Sequence, residues 1–229
     1  MHVTHIMKVV LVAGAERHLL TLLPALREHN ITSDVLLLVE PEKPMDDYAA
    51  LAAAADIPLH REIINGNLDP SLVNRIRAHI KTHQPDVVHT HLLHADVHGA
   101  AAALLSGVPV VASRHNDNAF RRRWPYRTFH WGWWRAISGG VAISDAIRNF
   151  CIDVEYAPLG KVRTVRYGVD AAPLARDVTA ARAALRESLG LPDDTLIVGT
   201  MCRLIEQKGL TYGLRAFGQI QDAHPNAHL

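Results

Sequence analysis

The chain has 229 residues, of which 48% are hydrophobic and 21% are charged. This composition is that of an ordinary globular protein, and it excludes collagen-like, disordered and disulfide-scaffold chains. Lysine and arginine number 24, and aspartate and glutamate number 23, so the formal net charge is +1. Because nucleic-acid-binding proteins rely on a strong positive field, we expect no nucleic-acid partner for this nearly neutral chain.

The two cysteines, Cys151 and Cys202, lie far apart and outside any C-x-x-C spacing. This favours a reducing compartment and argues against a cysteine-type zinc site. The N-terminal residues lack the charged-then-apolar pattern of a secretory signal. No apolar run reaches the roughly 18 residues that a membrane span needs. We therefore expect a cytoplasmic protein.

Short apolar runs alternate with helical periodicity along most of the chain. The runs that predict strands cover residues 9–12, 35–39, 86–89, 108–112, 140–143 and 162–165. Apolar residues at helical spacing separate them, for example at Leu72, Ile76 and Ile80. Because the runs are apolar on both faces, they suit a parallel sheet that is covered on both sides. This order predicts an α/β fold with a doubly wound, Rossmann-like parallel sheet.

The pattern changes after about residue 170, where periodicity is lost and proline appears. Residues 195–202 predict a further strand, and Leu210, Leu214 and Phe217 predict a helix after it. We therefore predict a Rossmann-like domain over 1–170 and an interdomain linker with a helix over 171–194. Residues 195–229 are then the first strand-helix unit of a second Rossmann-like domain that is incomplete here.

Two predicted strand ends carry residues that suit phosphate. Arg203 follows the strand at 195–202, and Lys208 stands where the next helix begins. Ligands of open α/β sheets bind beyond the carboxyl ends of strands, and helix N-termini offer N–H groups to anions. Gly14 follows the first predicted strand and allows a ligand to approach the backbone closely. The alternatives are a solvated loop at Arg203 and a plain turn at Gly14.

Histidines cluster around the strand at 86–89. His89 and His91 form an H-x-H pair at its end, and we expect His91, His94 and His98 to share a helical face. An H-x-H pair after a strand is typical of amidohydrolases, so a metal-dependent hydrolase using His89 and His91 is one alternative. That class needs a barrel of about 250 residues with further ligands. Packed histidines are the other interpretation, and we favour it.

His115 follows the strand at 108–112, where this topology puts site residues. Its imidazole suits a hydrogen bond to a substrate hydroxyl or to developing charge. The alternative is a histidine that a backbone carbonyl satisfies.

Arginine and tryptophan concentrate in the segment from Arg121 to Arg135. All four tryptophans lie there, and from Arg114 to Arg135 six arginines face one acid, Asp117. Such a mixture is typical of helices that lie on an anionic membrane surface, and we expect peripheral membrane contact. The alternative is one helix with aromatic residues in the core and arginines in water.

Together these pieces resemble the nucleotide-sugar-dependent glycosyltransferases of the GT-B fold, family 4, over nearly the whole chain. The matching pieces are Gly14-Ala15-Glu16-Arg17, Pro85-Asp86-Val87-Val88-His89-Thr90-His91, Gly107-Val108-Pro109-Val110-Val111, Val141-Ala142-Ile143-Ser144, Tyr167-Gly168-Val169-Asp170, and Val198-Gly199 through Arg203-Leu204 to Gln207-Lys208-Gly209.

The resemblance implies an N-terminal acceptor domain and a C-terminal donor domain that transfer sugar with retention of configuration, with no metal or other cofactor. Arg203 and Lys208 match the family's pair on the donor diphosphate. Gly14 and Glu16 fall in its loop near the phosphate and the acceptor, and His115 matches the histidine beside the donor sugar. The expected partners are a nucleotide-sugar donor and a glycan, lipid-linked or small-molecule acceptor, with the protein on the inner membrane face.

The sequence departs from the family at three places. Ala13 replaces the first of two glycines, and Tyr167 replaces the asparagine before Gly168. The C-terminal piece holds no E-x7-E carboxylate pair, which the family uses on the donor sugar and ribose. We therefore expect an N-terminal portion that is inactive in transfer by itself. A non-catalytic module that binds a glycan or a lipid carrier is the remaining alternative.

Overall fold

The computed structural model describes residues 1–66, 69–169, 171–172 and 177–229. They form two compact units, Met1–Val169 and Asp170–Leu229. The first unit contains a seven-stranded sheet of order β3-β2-β1-β4-β5-β6-β7, in which every pair is parallel. Its strands are β1 (His2–Lys8), β2 (Thr32–Val39), β3 (Leu59–Ile63), β4 (Val87–His91), β5 (Val110–Arg114), β6 (Gly139–Ala142) and β7 (Val162–Thr164).

Helices connect these strands. They are α1 (Gly14–Leu26), α2 (Asp46–Ala54), α3 (Pro70–His83), α4 (Leu92–His94), α5 (Ala100–Leu105), α6 (Trp124–Ala136) and α7 (Asp145–Asp153). The Asp69 side chain caps α3, because it accepts hydrogen bonds from the N–H groups of Ser71 and Leu72.

The sheet has a hydrophobic core on each face. Leu36 of β2 packs in one cluster with Ile76 of α3, whereas its neighbour Leu37 packs in the other with Leu23 of α1. Successive residues of a strand point to opposite faces, so β2 contributes to both cores. The predicted α/β fold with a doubly wound, Rossmann-like parallel sheet is therefore confirmed.

The first strand lies earlier than predicted. Residues 9–12 form no strand, and two of them, Val10 and Leu11, are at least half exposed. The strand is His2–Lys8, in the middle of the sheet, and it buries the polar side chains of Thr4 and His5. A central strand tolerates them because both form hydrogen bonds inside the protein.

The helical segment after β4 contains a wider turn. Between α4 and α5, residues Ala95–Gly99 form a π-helix. The Asp96 carbonyl there accepts a hydrogen bond of 3.0 Å from the indole N–H of Trp133. π-helical turns occur often at functional sites. This one brings Asp96 into the buried ion network described below.

The second unit is smaller and much more exposed. It contains α8 (Thr179–Leu189), β8 (Leu196–Ile197), α9 (Leu210–Ala223) and β9 (Ala227–His228). The prediction of a strand over 195–202 is wrong beyond residue 197, because β9 pairs with only two residues. Both predicted helices are confirmed, yet neither contains a buried residue. Residues 170 and 173–176 of the predicted linker lie outside the described part of the chain.

Candidate functional site

The strand order reverses between β1 and β4. From β1 the chain builds β2 and β3 on one side, and then crosses to β4 on the other. In open α/β sheets, ligands bind at the carboxyl edge beside such a reversal. The loop before α1, the end of β4 at His91 and the end of β5 next to His115 all lie at this edge.

Three histidines and a tyrosine form a continuous chain of hydrogen bonds at this edge. His5 Nδ1 is 3.1 Å from His91 Nε2, and His91 Nδ1 is 3.2 Å from His115 Nε2. His115 Nδ1 in turn contacts the Tyr167 hydroxyl. Both ring nitrogens of His115 are therefore engaged, and its ring orientation is fixed from two sides.

These imidazoles are neutral at physiological pH. Burial, with repulsion from His89 and Arg114, lowers the pKa of His115 to about 3. Burial also lowers the pKa of His89 to about 4, and it holds the pKa values of His5 and His91 well below the usual range. A neutral imidazole carries one donor and one acceptor nitrogen. The chain of rings can therefore form its hydrogen bonds without placing a positive charge at the site.

Tyr167 covers the outer side of His115. Its ring stacks on His18 of α1 with centroids 3.7 Å apart, so α1 and the loop after β7 meet here. Burial, together with the negative charge of Glu16, raises the pKa of Tyr167, and its hydroxyl keeps its proton at neutral pH. A substrate atom that reaches His115 Nδ1 must take the position of this hydroxyl.

A buried ion network anchors the residue that precedes His115. Arg114 Nη1 lies 2.6 Å from Asp96 Oδ2, and Arg114 Nε lies 3.1 Å from Glu155 Oε2. Burial alone would raise the pKa of Glu155, but Arg114 and Arg121 outweigh it and lower the pKa to about 2. The end of β5 is therefore held in place by a buried network of charged and hydrogen-bonding side chains.

The first turn of α1 contributes a glycine and a carboxylate. Glu16 is buried, and its Oε2 accepts a hydrogen bond of 3.1 Å from the Ala13 N–H, so this side chain caps its own helix. A Cβ added at Gly14 would meet no atom within 4 Å. The space beside the Gly14 Cα is open, and the first-turn N–H groups have no partner within the helix.

The histidines that suggested a metallohydrolase are engaged in other contacts. His5, His89 and His91 bring one nitrogen each within 4.8 Å of one another. However, His91 bonds through both nitrogens, and His89 Nε2 contacts the Ser113 hydroxyl at 2.8 Å. A hydrolytic metal would have to displace these bonds, so the hydrolase alternative is not favoured.

The expected helical face of His91, His94 and His98 is wrong, because His91 ends β4 as part of the strand. His98 is buried, and its Nε2 accepts a hydrogen bond from the Asp69 N–H. The latter contact joins the π-helical turn to the start of α3.

Arg203 and Lys208 are exposed in the second unit. Lys208 ends a 3₁₀ turn, Glu206–Lys208, and Gly209 follows with φ of 64° at the start of α9. The predicted position of Lys208 at a helix start is confirmed. A cavity of about 500 Å³ beside this turn is lined in part by Glu206 and Arg215.

The segment rich in arginine and tryptophan divides into a buried part and an exposed part. Arg121 is buried and contacts Glu155, and Trp133 and Trp134 lie in the core, so these three are no part of a membrane-facing surface. Trp124 and Trp131 are exposed. The exposed arginines are Arg122, Arg123 and Arg135.

An apolar cavity of about 540 Å³ lies next to this segment and is lined by Leu93, Val97, Phe120, Tyr126 and Phe129 among others. In the described part of the chain, no helix combines the length and the apolarity needed to cross a bilayer.

Sequence reasoning missed His5, His18 and the position of Tyr167 against His115. The signal for His5 was present, because a strand at 2–8 puts His5 opposite His89 in the sheet. Tyr167 stood out in the sequence only as a replacement of an expected asparagine. No spacing rule predicts that it stacks on His18, because the two residues come from distant elements.

Comparisons with known proteins agree with this architecture. The family model described as glycosyltransferase family 4 matches residues 12–172, which is more than half of the chain. None of the curated proteins compared with the sequence matches it. Among solved structures, HepE of Anabaena in complex with UDP and glucose is similar at a TM-score of 0.76 and 19% identity. That match covers 96% of this chain and 58% of HepE.

Two further structures share the fold. A glycosyltransferase from Rickettsia africae has a TM-score of 0.72 at 13% identity, covering 89% of this chain and 53% of that one. A UDP-GlcNAc 2-epimerase from Neisseria meningitidis, bound to UDP-GlcNAc, has a TM-score of 0.54 at 16% identity, covering 86% and 56%.

The chain thus spans less than three fifths of the length of these structures. Transferases and an epimerase share the architecture, so structural likeness at such identities establishes the fold alone. The match of the family model over residues 12–172 is more specific, and it agrees with the GT-B fold and the motifs found in the sequence. On this ground the chain belongs to glycosyltransferase family 4.

Proposed function

We propose that this chain contributes the acceptor-side domain of a glycosyltransferase that takes a sugar from a nucleotide-sugar donor and retains its anomeric configuration. Membership of family 4 supports the activity. HepE in complex with UDP-glucose supports a sugar nucleotide as the class of donor. The single observation that carries the proposal is the neutral, rigidly held His115 at the reversal of strand order.

In such a transfer, the bond between the anomeric carbon and the diphosphate oxygen breaks, and the acceptor oxygen bonds to the same carbon while its proton passes to the leaving diphosphate. Positive charge develops on the sugar and negative charge on the leaving diphosphate. A neutral His115 suits a hydrogen bond to a sugar hydroxyl, because it adds no positive charge beside the developing cation. The Tyr167 hydroxyl gives up its bond to His115 when the sugar binds.

Arg203 and Lys208 of the second unit are the proposed diphosphate contacts. Arginine provides a planar pair of donors and lysine a point charge, and both form the strong, charge-assisted hydrogen bonds that phosphates favour. The open space over Gly14 allows a phosphate oxygen to approach the first-turn N–H groups. Glu16 serves this substrate-side turn by fixing it through the Ala13 N–H.

The test of the catalytic assignment is His115→Ala in a protein that contains this chain and shows transfer activity. We expect kcat to fall about 10²–10³-fold, as for other single transition-state donors, with a small change in Tm. His29→Ala is the matched control, because His29 is exposed in another part of the same unit. Normal turnover in His115→Ala would remove this residue from the site. A variant that is destabilised but turns over normally when folded would make His115 a structural histidine.

The phosphate assignment is tested by Lys208→Ala in the same protein. Losing a charge-assisted contact costs about 1.5–3 kcal/mol, so calorimetry should show UDP or GDP binding weakened at least several-fold. Lys81→Ala, an exposed lysine of α3, is the control. Unchanged nucleotide affinity in Lys208→Ala would exclude the assignment.

The 229-residue chain alone is proposed to be inactive in transfer. Efficient transfer needs a donor that is held at both diphosphate and sugar, and the sequence of the second unit has no pair of glutamates at the E-x7-E spacing. The measurement is a transfer and donor-hydrolysis assay over several sugar nucleotides. Multiple turnovers with any of them would refute this point and leave the His115 assignment intact.

Peripheral contact with the cytoplasmic face of a membrane is proposed for the exposed part of the arginine and tryptophan segment. Trp124, Trp131 and Arg135 present aromatic rings and charge to solvent, and Arg135 lies over the Trp131 ring at 4.2 Å. Sedimentation with anionic vesicles should show binding that fades with salt and weakens in Trp124→Ser. Tyr212→Ser, an exposed aromatic of the second unit, is the control. Equal binding to neutral vesicles, or none, contradicts the proposal.

A further inference from the structure

A second group of histidines lies at the opposite end of the strands of the same sheet, where β3 begins and α3 ends. His60 is the second residue of β3, and His79 and His83 lie one turn apart near the end of α3. The ring centroids are 4.9 Å apart for His60 and His79, 4.5 Å for His60 and His83, and 3.9 Å for His79 and His83. Each ring brings one nitrogen within 4.8 Å of the other two. We call these three residues the tri-histidine cluster.

The hydrogen bonds of the cluster leave nitrogens available. His79 Nε2 is 2.9 Å from Asp34 Oδ2, and His83 Nδ1 is 2.9 Å from the His79 carbonyl oxygen. Each bond fixes the N–H of its ring at that nitrogen and leaves the lone pair on the other. Histidines that bind metals show this pattern, because their second nitrogen donates to a carboxylate or a carbonyl.

Asp34 is a fixed support for this arrangement. Its side chain is buried in β2, and its Oδ1 also accepts hydrogen bonds of 2.7 Å from the Thr4 hydroxyl and 2.9 Å from His2 Nε2. A carboxylate with three partners cannot rotate freely, so the His79 ring is held as well. His60, by contrast, is exposed, and its ring has no hydrogen bond among the described residues.

The contrast with the carboxyl edge is chemical. At the carboxyl edge, both ring nitrogens of His91 bond to neighbouring histidines, and His89 contacts the Ser113 hydroxyl. In the tri-histidine cluster, the two anchored rings bind a carboxylate and a carbonyl, and no ring nitrogen bonds to another ring nitrogen of the cluster among the described contacts. Imidazole nitrogens are ligands that zinc prefers, and three of them with an open position complete a common zinc geometry.

From this geometry we infer that His60, His79 and His83 bind a zinc ion, with Asp34 as the positioning residue of His79. Two nitrogens in a tetrahedron around zinc lie about 3.3 Å apart, given Zn–N bonds of about 2.0–2.1 Å. The His79 and His83 rings stack with an interplanar angle of 21°, so binding requires these two rings to turn out of their near-parallel arrangement as well as rotation of the exposed His60 ring. Water takes the fourth position, because His60 faces solvent.

The zinc ion would join β3 to α3. β3 is an edge strand, with a neighbour on one side only. A ligand that binds the folded chain but not the unfolded chain raises the stability of the fold. Zinc should therefore protect β3 from separating from the sheet. The site lies at the edge opposite His115, and no step of the proposed transfer uses it.

The experiment uses the 229-residue chain without a polyhistidine tag. Calorimetry should give one zinc equivalent per chain, and Tm should rise with zinc and return with a chelator. Co²⁺ should give the intense visible absorption of a tetrahedral site. His60→Ala should weaken zinc binding at least tenfold, and Asp34→Asn should weaken it about 10–100-fold, as outer-shell partners do.

The controls separate this site from unspecific binding. His29→Ala removes an exposed histidine elsewhere and should leave the zinc affinity and the Tm shift unchanged. Circular dichroism of each variant verifies folding, and His83→Ala repeats the test if Asp34→Asn unfolds. Zinc binding that is equally tight in His60→Ala, or equally weakened by His29→Ala, would overturn the inference. Because the experiment measures neither nucleotide binding nor activity, its outcome is independent of the proposed function.

Discussion

Helices α3 and α9 both have apolar residues at helical spacing in the sequence, and they have opposite environments in the structure. Leu72, Ile76 and Ile80 of α3 are buried, whereas Leu214 of α9 is 60% exposed. α3 packs in the larger core beside a seven-stranded sheet, whereas the described residues of the second unit form two strands of two residues each. Apolar spacing therefore predicts that a helix forms, and the available partner surface decides whether its side chains are buried.

The largest difference in stability between the two units should come from replacing one arginine by alanine in each. Arg114→Ala leaves Asp96 and Glu155 buried without their main partner, and breaking a buried pair in this way typically costs about 3–5 kcal/mol. Arg215→Ala in α9 removes an exposed side chain and should change the stability by less than about 0.5 kcal/mol. Urea unfolding measures both. Similar losses would mean that the network is not what stabilises the first unit.

Replacing one apolar residue by alanine in each unit should show the same difference in lost stability, with somewhat smaller values. Ile76→Ala opens a cavity in a packed core, and such changes cost about 2–5 kcal/mol. Leu214→Ala should cost less than about 0.5 kcal/mol, because this side chain already contacts water. The same unfolding experiment compares the two variants. A large loss in Leu214→Ala would show that α9 is packed more tightly in solution.

The buried histidines should make the first unit sensitive to acid. They stay neutral in the folded chain, while the unfolded chain takes up protons below about pH 6.5, so stability falls as the pH drops from about 6.5 toward 4. Each such group contributes a slope of up to about 1.4 kcal/mol per pH unit.

Unfolding followed between pH 7 and 4.5 gives this slope, and His89→Gln should flatten it by the share of one group. Stability that does not change over this range would contradict the neutral state of these rings.

Removal of the second unit should have the smallest effect. A chain of residues 1–169 contains both hydrophobic clusters of the sheet in full, and Ala227, a buried residue of the second unit, belongs to neither cluster. We expect cooperative thermal unfolding with a Tm within a few degrees of that of the 229-residue chain. Loss of the cooperative transition would show that the first unit depends on the second.

Most of the sheet could be predicted because parallel strands buried on both faces are apolar throughout. The strands at 35–39, 86–89, 108–112, 140–143 and 162–165 lie within three residues of the observed ones. β1 was not predicted because polar Thr4 and His5 interrupt its apolar run. The hydrogen-bond partners of these two residues come from distant parts of the chain. β3 escaped because most of its residues are not buried.

The candidate site could be predicted only where it follows strand ends. His115, Gly14 and Lys208 lie beside a strand end or a helix start, as their positions in the sequence indicate. The partners of His115 come from β4 and from the loop after β7, and a single sequence contains no sign of which rings meet. The pKa values follow from this burial, so they were out of reach as well.

The chain of neutral rings from His5 to Tyr167 has a polarity. Each imidazole donates once and accepts once, so all donors along His5, His91 and His115 must point the same way. With Tyr167 donating to His115, the unpartnered Nε2 of His5 carries a proton, and with Tyr167 accepting, that nitrogen is bare. An anionic oxygen in place of the tyrosine hydroxyl admits only the second arrangement. Binding of such an oxygen would thus fix the direction of the electric dipole along a column of rings that ends inside the sheet.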